Sequence, residues 1–168
     1  MESVEARLQR LEDIEAIRQL KARYFHACDQ KDVPVIRDCF GAGEILIDYG
    51  AIGRFTRRED FIAVFQQMAC HSSVIDMHHG QNAQIQWHSV DSASAMWDLY
   101  FFQMNTETSV LTQLAGHYED RYARQDGDWV IVETLFRVTS SLVLQHESGA
   151  LKLLHMGSSV PQSEGTSE

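Results

Sequence analysis

Trp129-Val130-Ile131-Val132-Glu133-Thr134-Leu135-Phe136-Arg137-Val138-Thr139-Ser140-Ser141-Leu142-Val143 reads as one long strand, and it decides the architecture. β-Branched and aromatic residues dominate it, and neither Gly nor Pro interrupts it. By the two-residue period of a strand, Ile131, Leu135 and Arg137 share one face. Val130, Val132, Phe136 and Val138 share the other. Both faces are mostly apolar, so both need cover. Helices are expected over one face, with the sheet curling over a cavity at the other.

The segments before it supply the partners. Gln125-Asp126-Gly127-Asp128 carries an Asp-Gly hairpin signal. Leu111 to Arg124 is the strand on the other side of that turn. Ser92 to Asn105 alternates, with Ala93, Ala95, Trp97, Leu99 and Phe101 on one face. Before it, Val74-Ile75-Asp76-Met77-His78-His79-Gly80-Gln81-Asn82-Ala83-Gln84-Ile85-Gln86-Trp87 reads as a loop running into a strand.

The first third of the chain is helical. Val4, Leu8, Leu11, Ile14, Ile17, Leu20, Tyr24 and Ala27 recur at three- and four-residue steps, giving an amphipathic helix with a break expected near Glu12-Asp13. Asp29 lies about 140° round from Tyr24, so the helix is expected to end or bend near Cys28 if both point inward. Asp32 caps a second helix that holds Pro34 in its first turn and runs to Phe40. Glu44 to Tyr49 is a short strand, followed by a turn at Gly50 to Gly53. Thr56-Arg57-Arg58-Glu59 has capping-box spacing and opens a third helix that ends near Cys70-His71. Helices first, then long antiparallel strands, indicate an α+β domain over residues 1–156. From Gly157 the composition turns to Ser, Gly, Pro, Gln and Glu, and residues 157–168 are expected to be a flexible tail.

The totals exclude some classes. The chain of 168 residues fits one domain. Its net charge of −10 gives no electrostatic support for nucleic-acid binding. No apolar run approaches the roughly 20 residues of a membrane span. The N-terminus is acidic and then amphipathic, unlike a signal peptide. Three cysteines without CxxC spacing suggest reduced thiols and a cytoplasmic setting.

The residues that suggest chemistry are few. Histidine can both take and give a proton near neutrality, and His78 and His79 stand together mid-chain. In a strand they face opposite ways, which argues against a shared metal; His79 is the alternative base if the register differs. A histidine base needs a group that fixes its tautomer, and Asp29 is the candidate. Tyr24 precedes it on the same helix. Arg137 carries a charge between Phe136 and Val138, so it needs a partner if buried. It serves either as a substrate clamp or as the ion-pair partner of Glu119 or Asp120. His117 is either a pocket residue or a sheet-surface histidine. Tyr49, Phe101 and Leu135 complete the candidate substrate contacts. Trp97 and Trp129 read as core; Trp97 or Trp87 is also a candidate for an exposed face. No GxGxxG or Walker-type loop is present, and no metal or other cofactor is expected.

Several stretches, taken in order, resemble the SnoaL-like branch of the nuclear-transport-factor-2-like superfamily. They are Tyr24-Phe25-His26-Ala27-Cys28-Asp29-Gln30-Lys31-Asp32, Met77-His78-His79-Gly80, Ala95-Met96-Trp97, Gly116-His117-Tyr118-Glu119-Asp120-Arg121-Tyr122, Asp126-Gly127-Asp128-Trp129 and Phe136-Arg137-Val138. The resemblance covers roughly residues 10 to 145. It implies a cone-shaped barrel, a strongly curved antiparallel sheet wrapped around three N-terminal helices, with a deep apolar pocket. Members include scytalone dehydratase, bile-acid dehydratases, ketosteroid isomerase, polyketide cyclases and hexachlorocyclohexane dehydrochlorinase, most of which move protons without a cofactor.

The dehydratases and the dehydrochlorinase use an Asp–His pair at positions matching Asp29 and His78. Tyr24 matches a tyrosine of the bile-acid dehydratases, and Arg137 a late-strand arginine of several lyases. One departure is clear: where bile-acid dehydratases place an acid, this chain has Phe101, and the nearby Asp98 points to the opposite face.

The expectation is a lyase or isomerase acting on a hydrophobic small molecule, polycyclic ones included, with Tyr24, Asp29, His78 and Arg137 catalytic. The resemblance also implies a dimer or trimer formed through the convex face of the sheet. The same cone serves non-catalytic roles, as a ligand-binding protein or as the small structural subunit of ring-hydroxylating dioxygenases.

Overall fold

The computed structural model describes residues 2–161. Three helices pack against one seven-stranded, strongly curved sheet that does not close. Helix α1 spans Val4–Gln30, α2 Val33–Asp38 and α3 Arg58–Ala69. The strands are β1 (Leu46–Asp48), β2 (Arg54–Phe55), β3 (Val74–Ser89), β4 (Ser92–Asn105), β5 (Val110–Gln125), β6 (Asp128–Glu147) and β7 (Ala150–Gly157). Their order is β2-β1-β6-β5-β4-β3, with β7 also paired to β6. The expected α+β architecture is present. One pairing, β1 with β6, is parallel, so the sheet is mixed.

Helix α1 is unbroken. Ser3 caps it, its Oγ accepting from the Ala6 N–H at 3.1 Å. Asp13, where a break was expected, is 2 % exposed. Its carboxylate accepts from Gln9 Nε2, from the indole N–H groups of Trp87 (3.1 Å) and Trp129 (3.3 Å), and from the Arg124 guanidinium. A buried charge with four donors is tolerated inside the helix and ties it to β3, β5 and β6. Ile17, Leu20, Tyr24 and Phe25 are buried, whereas Val4, Leu8 and Leu11 are exposed, so the first turns project beyond the sheet.

The other caps follow local chemistry. Asp32 Oδ1 accepts from the Val35 N–H at 3.2 Å, and Pro34 sits in the first turn of α2. The capping box expected at Thr56 does not form. The N-cap of α3 is Arg57, without a side-chain cap bond.

The register of β6 differs from a uniform alternation. Tyr122 pairs with Ile131 and Arg121 with Glu133, so Val132 is an extra residue. This bulge inverts the side-chain parity beyond it. Ile131, Thr134 and Phe136 therefore point to the helices, and Leu135 and Arg137 point outward. Strand β6 continues to Glu147, turns at Ser148-Gly149 and returns as β7. The first part of the expected tail is tied down: the Ser159 carbonyl accepts from Ser141 Oγ at 2.7 Å. Residues 162–168 of that tail lie outside the described residues. Among the described residues no helix is long and apolar enough to cross a membrane.

Candidate active site

The site forms where the end of α1 meets the start of β3. Asp29 stands two residues before the C-cap, Lys31. A carboxylate there opposes the helix dipole, so its position needs another reason. Both Asp29 oxygens approach the His78 backbone N–H, at 3.1 and 3.2 Å. Oδ1 also lies 2.6 Å from His78 Nδ1. With Asp29 ionised, Nδ1 carries the proton and Nε2 keeps its lone pair. The side chains are only 20 % (Asp29) and 14 % (His78) exposed.

Packing fixes the imidazole plane. Phe25 stacks on it with centroids 5.8 Å apart and 15° between planes, and Phe101, its cross-strand neighbour, lies at 4.7 Å. Gly80 makes the stack possible, because a β-carbon there would overlap the Phe25 ring.

His78 lines a cavity of about 240 Å³ together with Tyr24, Tyr49, Phe61, Phe65, Phe101, Tyr118 and Phe136. Tyr24 and Tyr49 are joined by a hydrogen bond of 2.8 Å between their hydroxyls. Burial pushes both phenols well above their ordinary pKa, so they are neutral donors at physiological pH. Cys28 also lines the cavity. Burial raises its pKa too, so it is a neutral thiol and a poor nucleophile. A wider groove of about 780 Å³ lies between α1, α2 and the β5–β6 turn, but of the nominated side chains none lines it.

Three nominated residues lie elsewhere. Arg137 and His117 are cross-strand partners on the outer face. Arg137 is 45 % exposed, with its guanidinium 3.6 Å from Asp48, not from Glu119 or Asp120. His117 Nε2 lies 3.7 Å from Glu119. Leu135, opposite Glu119, is outward too. The Val132 bulge is the physical reason for Leu135 and Arg137. His79 faces outward, opposite Tyr100, and Asp98 contacts Asn82 at 2.8 Å outside the cavity.

The wall also holds residues that the sequence reading passed over. Asp76 and Gln103, a cross-strand pair, contribute polar atoms to it. Behind it, Lys21 Nζ lies 2.7 Å from Asp120 Oδ2 and 3.7 Å over the Tyr118 ring, with neither charged side chain exposed. Asp120 also accepts from the Tyr122 hydroxyl at 2.6 Å. Among the described residues no group of three or more His, Cys, Asp or Glu side chains is arranged to hold a metal ion.

The model of the SnoaL-like domain matches residues 9–134, three quarters of the chain. The chain belongs to the SnoaL-like family. Solved structures show the same fold. A scytalone dehydratase-like protein from Novosphingobium aromaticivorans superposes with a TM-score of 0.73 at 16% identity, over 93% of this chain and 98% of that one. The hexachlorocyclohexane dehydrochlorinase LinA-type3 from Novosphingobium barchaimii gives 0.70 at 18% identity, over 92% and 99%. A conserved protein from Planctomyces limnophilus gives 0.66 at 20% identity, over 76% and 98%. At these identities the likeness to this SnoaL-like chain is one of fold.

Proposed function

We infer that this chain is a cofactor-free lyase of the dehydratase type, with Asp29 and His78 as its proton-transfer dyad. The observation that carries the reading is the 2.6 Å contact between Asp29 Oδ1 and His78 Nδ1, with the same imidazole on an aromatic cavity wall. Asp29 orients the ring and stabilises the imidazolium. Nε2 is the nitrogen left for a ligand.

In this reading Nε2 removes a proton from the carbon beside a carbonyl of the substrate. The C–H electrons pass to the carbonyl oxygen as an enolate. Tyr24 and Tyr49 share one proton in their mutual hydrogen bond, so one O–H is left to donate to that oxygen. The enolate re-forms the carbonyl as the bond to a β-hydroxyl breaks. The leaving oxygen takes the proton back from His78, giving an enone and water. Without the β-hydroxyl, the same steps return the proton to carbon as an isomerisation or exchange. Arg137, expected to be catalytic, takes no part in these steps, because its side chain lies outside the cavity.

The cavity also bounds the substrate. A cavity of about 150 Å³ accepts benzene, and drug-sized ligands occupy roughly 300–1,000 Å³. About 240 Å³ lies between these and suits one or two rings.

The test is elimination of water from 4-hydroxy-4-phenylbutan-2-one, followed by the absorbance of the conjugated enone. The dehydratase reading expects turnover in the wild type, lost in His78→Ala. A binding or structural role predicts no turnover in either.

A further inference from the structure

Besides His78, the tyrosine hydroxyls and the Cys28 thiol, the cavity wall carries one carboxylate. It belongs to Asp76, two residues before His78 on the inward face of β3. Its side chain is 4 % exposed. Oδ1 accepts from Gln103 Nε2 at 2.8 Å, and Oδ2 pairs with the Lys31 ammonium. These bonds use two of the roughly four lone-pair sites of a carboxylate.

This arrangement costs stability twice. A nearly buried ion pair seldom outperforms apolar side chains of the same volume. Lys31 also occupies the left-handed C-cap of α1, at φ 59° and ψ 30°, a position that glycine fills most easily. Strain of this kind gathers at ligand sites. The lysine cap delivers its ammonium to Asp76, so both costs converge on one carboxylate at the cavity wall.

We propose that Asp76, held by Lys31 and Gln103, is a specificity-determining acceptor for a neutral hydroxyl donor on the ligand, a ring phenol above all. This rests on the reading of the cavity as the substrate site. Lys31 cancels the charge of Asp76, so a cationic ligand gains little. The acceptor face of the carboxylate disfavours an anion. A neutral O–H gains a charge-assisted hydrogen bond that an ether cannot make. Spacing supports a ring hydroxyl. Inward residues two apart on a strand lie about 7 Å apart, the span of one aromatic ring with para substituents. A phenol on Asp76 therefore places a side chain para to it beside His78.

Two probes isolate the hydroxyl: 4-(4-hydroxyphenyl)butan-2-one and its 4-methoxy ether, titrated calorimetrically at neutral pH. The wild type should bind the phenol about tenfold or more tightly than the ether. In the double variant Lys31→Met/Asp76→Leu, which leaves no unpaired charge, the ratio should fall to about one with ether affinity kept. Circular dichroism and the melting temperature establish that it is folded. Equal affinity in the wild type, or a ratio that survives in the folded variant, overturns the assignment. Should the variant not fold, the wild-type ratio alone decides. His78→Ala separates this inference from the catalytic one. A phenol preference without proton transfer sinks only the lyase reading, and proton transfer without the preference sinks only the role of Asp76.

Discussion

Gly80 leaves its β-carbon position to Phe25, and Phe25 in turn lies flat on His78. Gly80→Ala must displace the ring from β3, because the clash is with its edge and Phe25 is itself buried. Overpacking of this kind costs about 1–3 kcal/mol. Urea denaturation should show a stability loss of that size, with a larger proportional loss of proton transfer as the imidazole loses its stacking partner. Unchanged proton transfer in a destabilised variant would show that the stack does not position His78.

Lys21 and Asp120 form an ion pair with no solvent access, and the ammonium lies off-line for a hydrogen bond. Burial pulls the Lys21 pKa below its ordinary value, against the opposing pull of Asp120. Lys21→Met alone leaves an uncompensated buried carboxylate and should cost about 3–5 kcal/mol. Lys21→Met/Asp120→Leu should cost less than the two single changes summed, as read in a double-mutant cycle of urea midpoints. Additive costs would mean that the two charges do not support each other.

The chain has five tyrosines. In Tyr24, Tyr49, Tyr118 and Tyr122, burial above all raises the pKa above the usual phenol range. A phenol raised in the folded state is neutral there while its unfolded counterpart begins to ionise near pH 10. Its stabilising contribution is whole below that pH and declines as pH rises above it. Alkaline titration at 295 nm should release no more than one tyrosinate before the protein unfolds. Two or more released from folded protein would mean that water reaches at least one of these four phenols.

The outer face carries apolar rows that no helix covers. Ile75, Met104, Leu111 and Leu144 align across β3 to β6, with Leu153 beside Leu144 on β7. Met77, Phe102, Gln113 and Leu142 form the next row, with Met156 beyond; Gln113 is its one polar member. Bands of this kind mark interfaces. Trp97 and Trp87, considered as exposed-face residues, do not contribute: Trp97 is buried and Trp87 donates to Asp13. Light scattering at micromolar concentration should give the mass of a dimer or trimer, and Leu153→Glu/Met156→Glu should lower it. A monomer in the wild type would contradict this.

Legibility in the sequence followed the range of the interaction. The Asp126-Gly127 turn has positive φ at both residues, and Asp32 with Pro34 opens α2; local chemistry fixes both. Bulges were hidden. Val130, Ile131 and Val132 are alike in type, so nothing marks the residue that breaks the alternation and sends Leu135 and Arg137 outward. The same holds in β7, where Val143 pairs with His155 and Leu144 with Leu153. The extra Leu154 spoils the period, and the strand did not stand out. Nothing local in the sequence marks Asp76; only its partners, 45 residues back and 27 ahead, give it a role. The approach of residues 29 and 78 is likewise non-local; the need of a histidine base for an orienting acid suggested it, and the family pattern strengthened it.

Hydrogen–deuterium exchange at C3 of 4-phenylbutan-2-one in D₂O, followed by proton NMR, tests the central claim most directly. It asks only whether the protein removes a proton from carbon. A working dyad predicts exchange faster than in buffer for the wild type. It predicts a fall of about 10²–10⁴-fold in both Asp29→Asn and His78→Ala, with melting temperatures that show both are folded. Exchange no faster than in buffer with the wild type, or wild-type exchange in both variants, would contradict it.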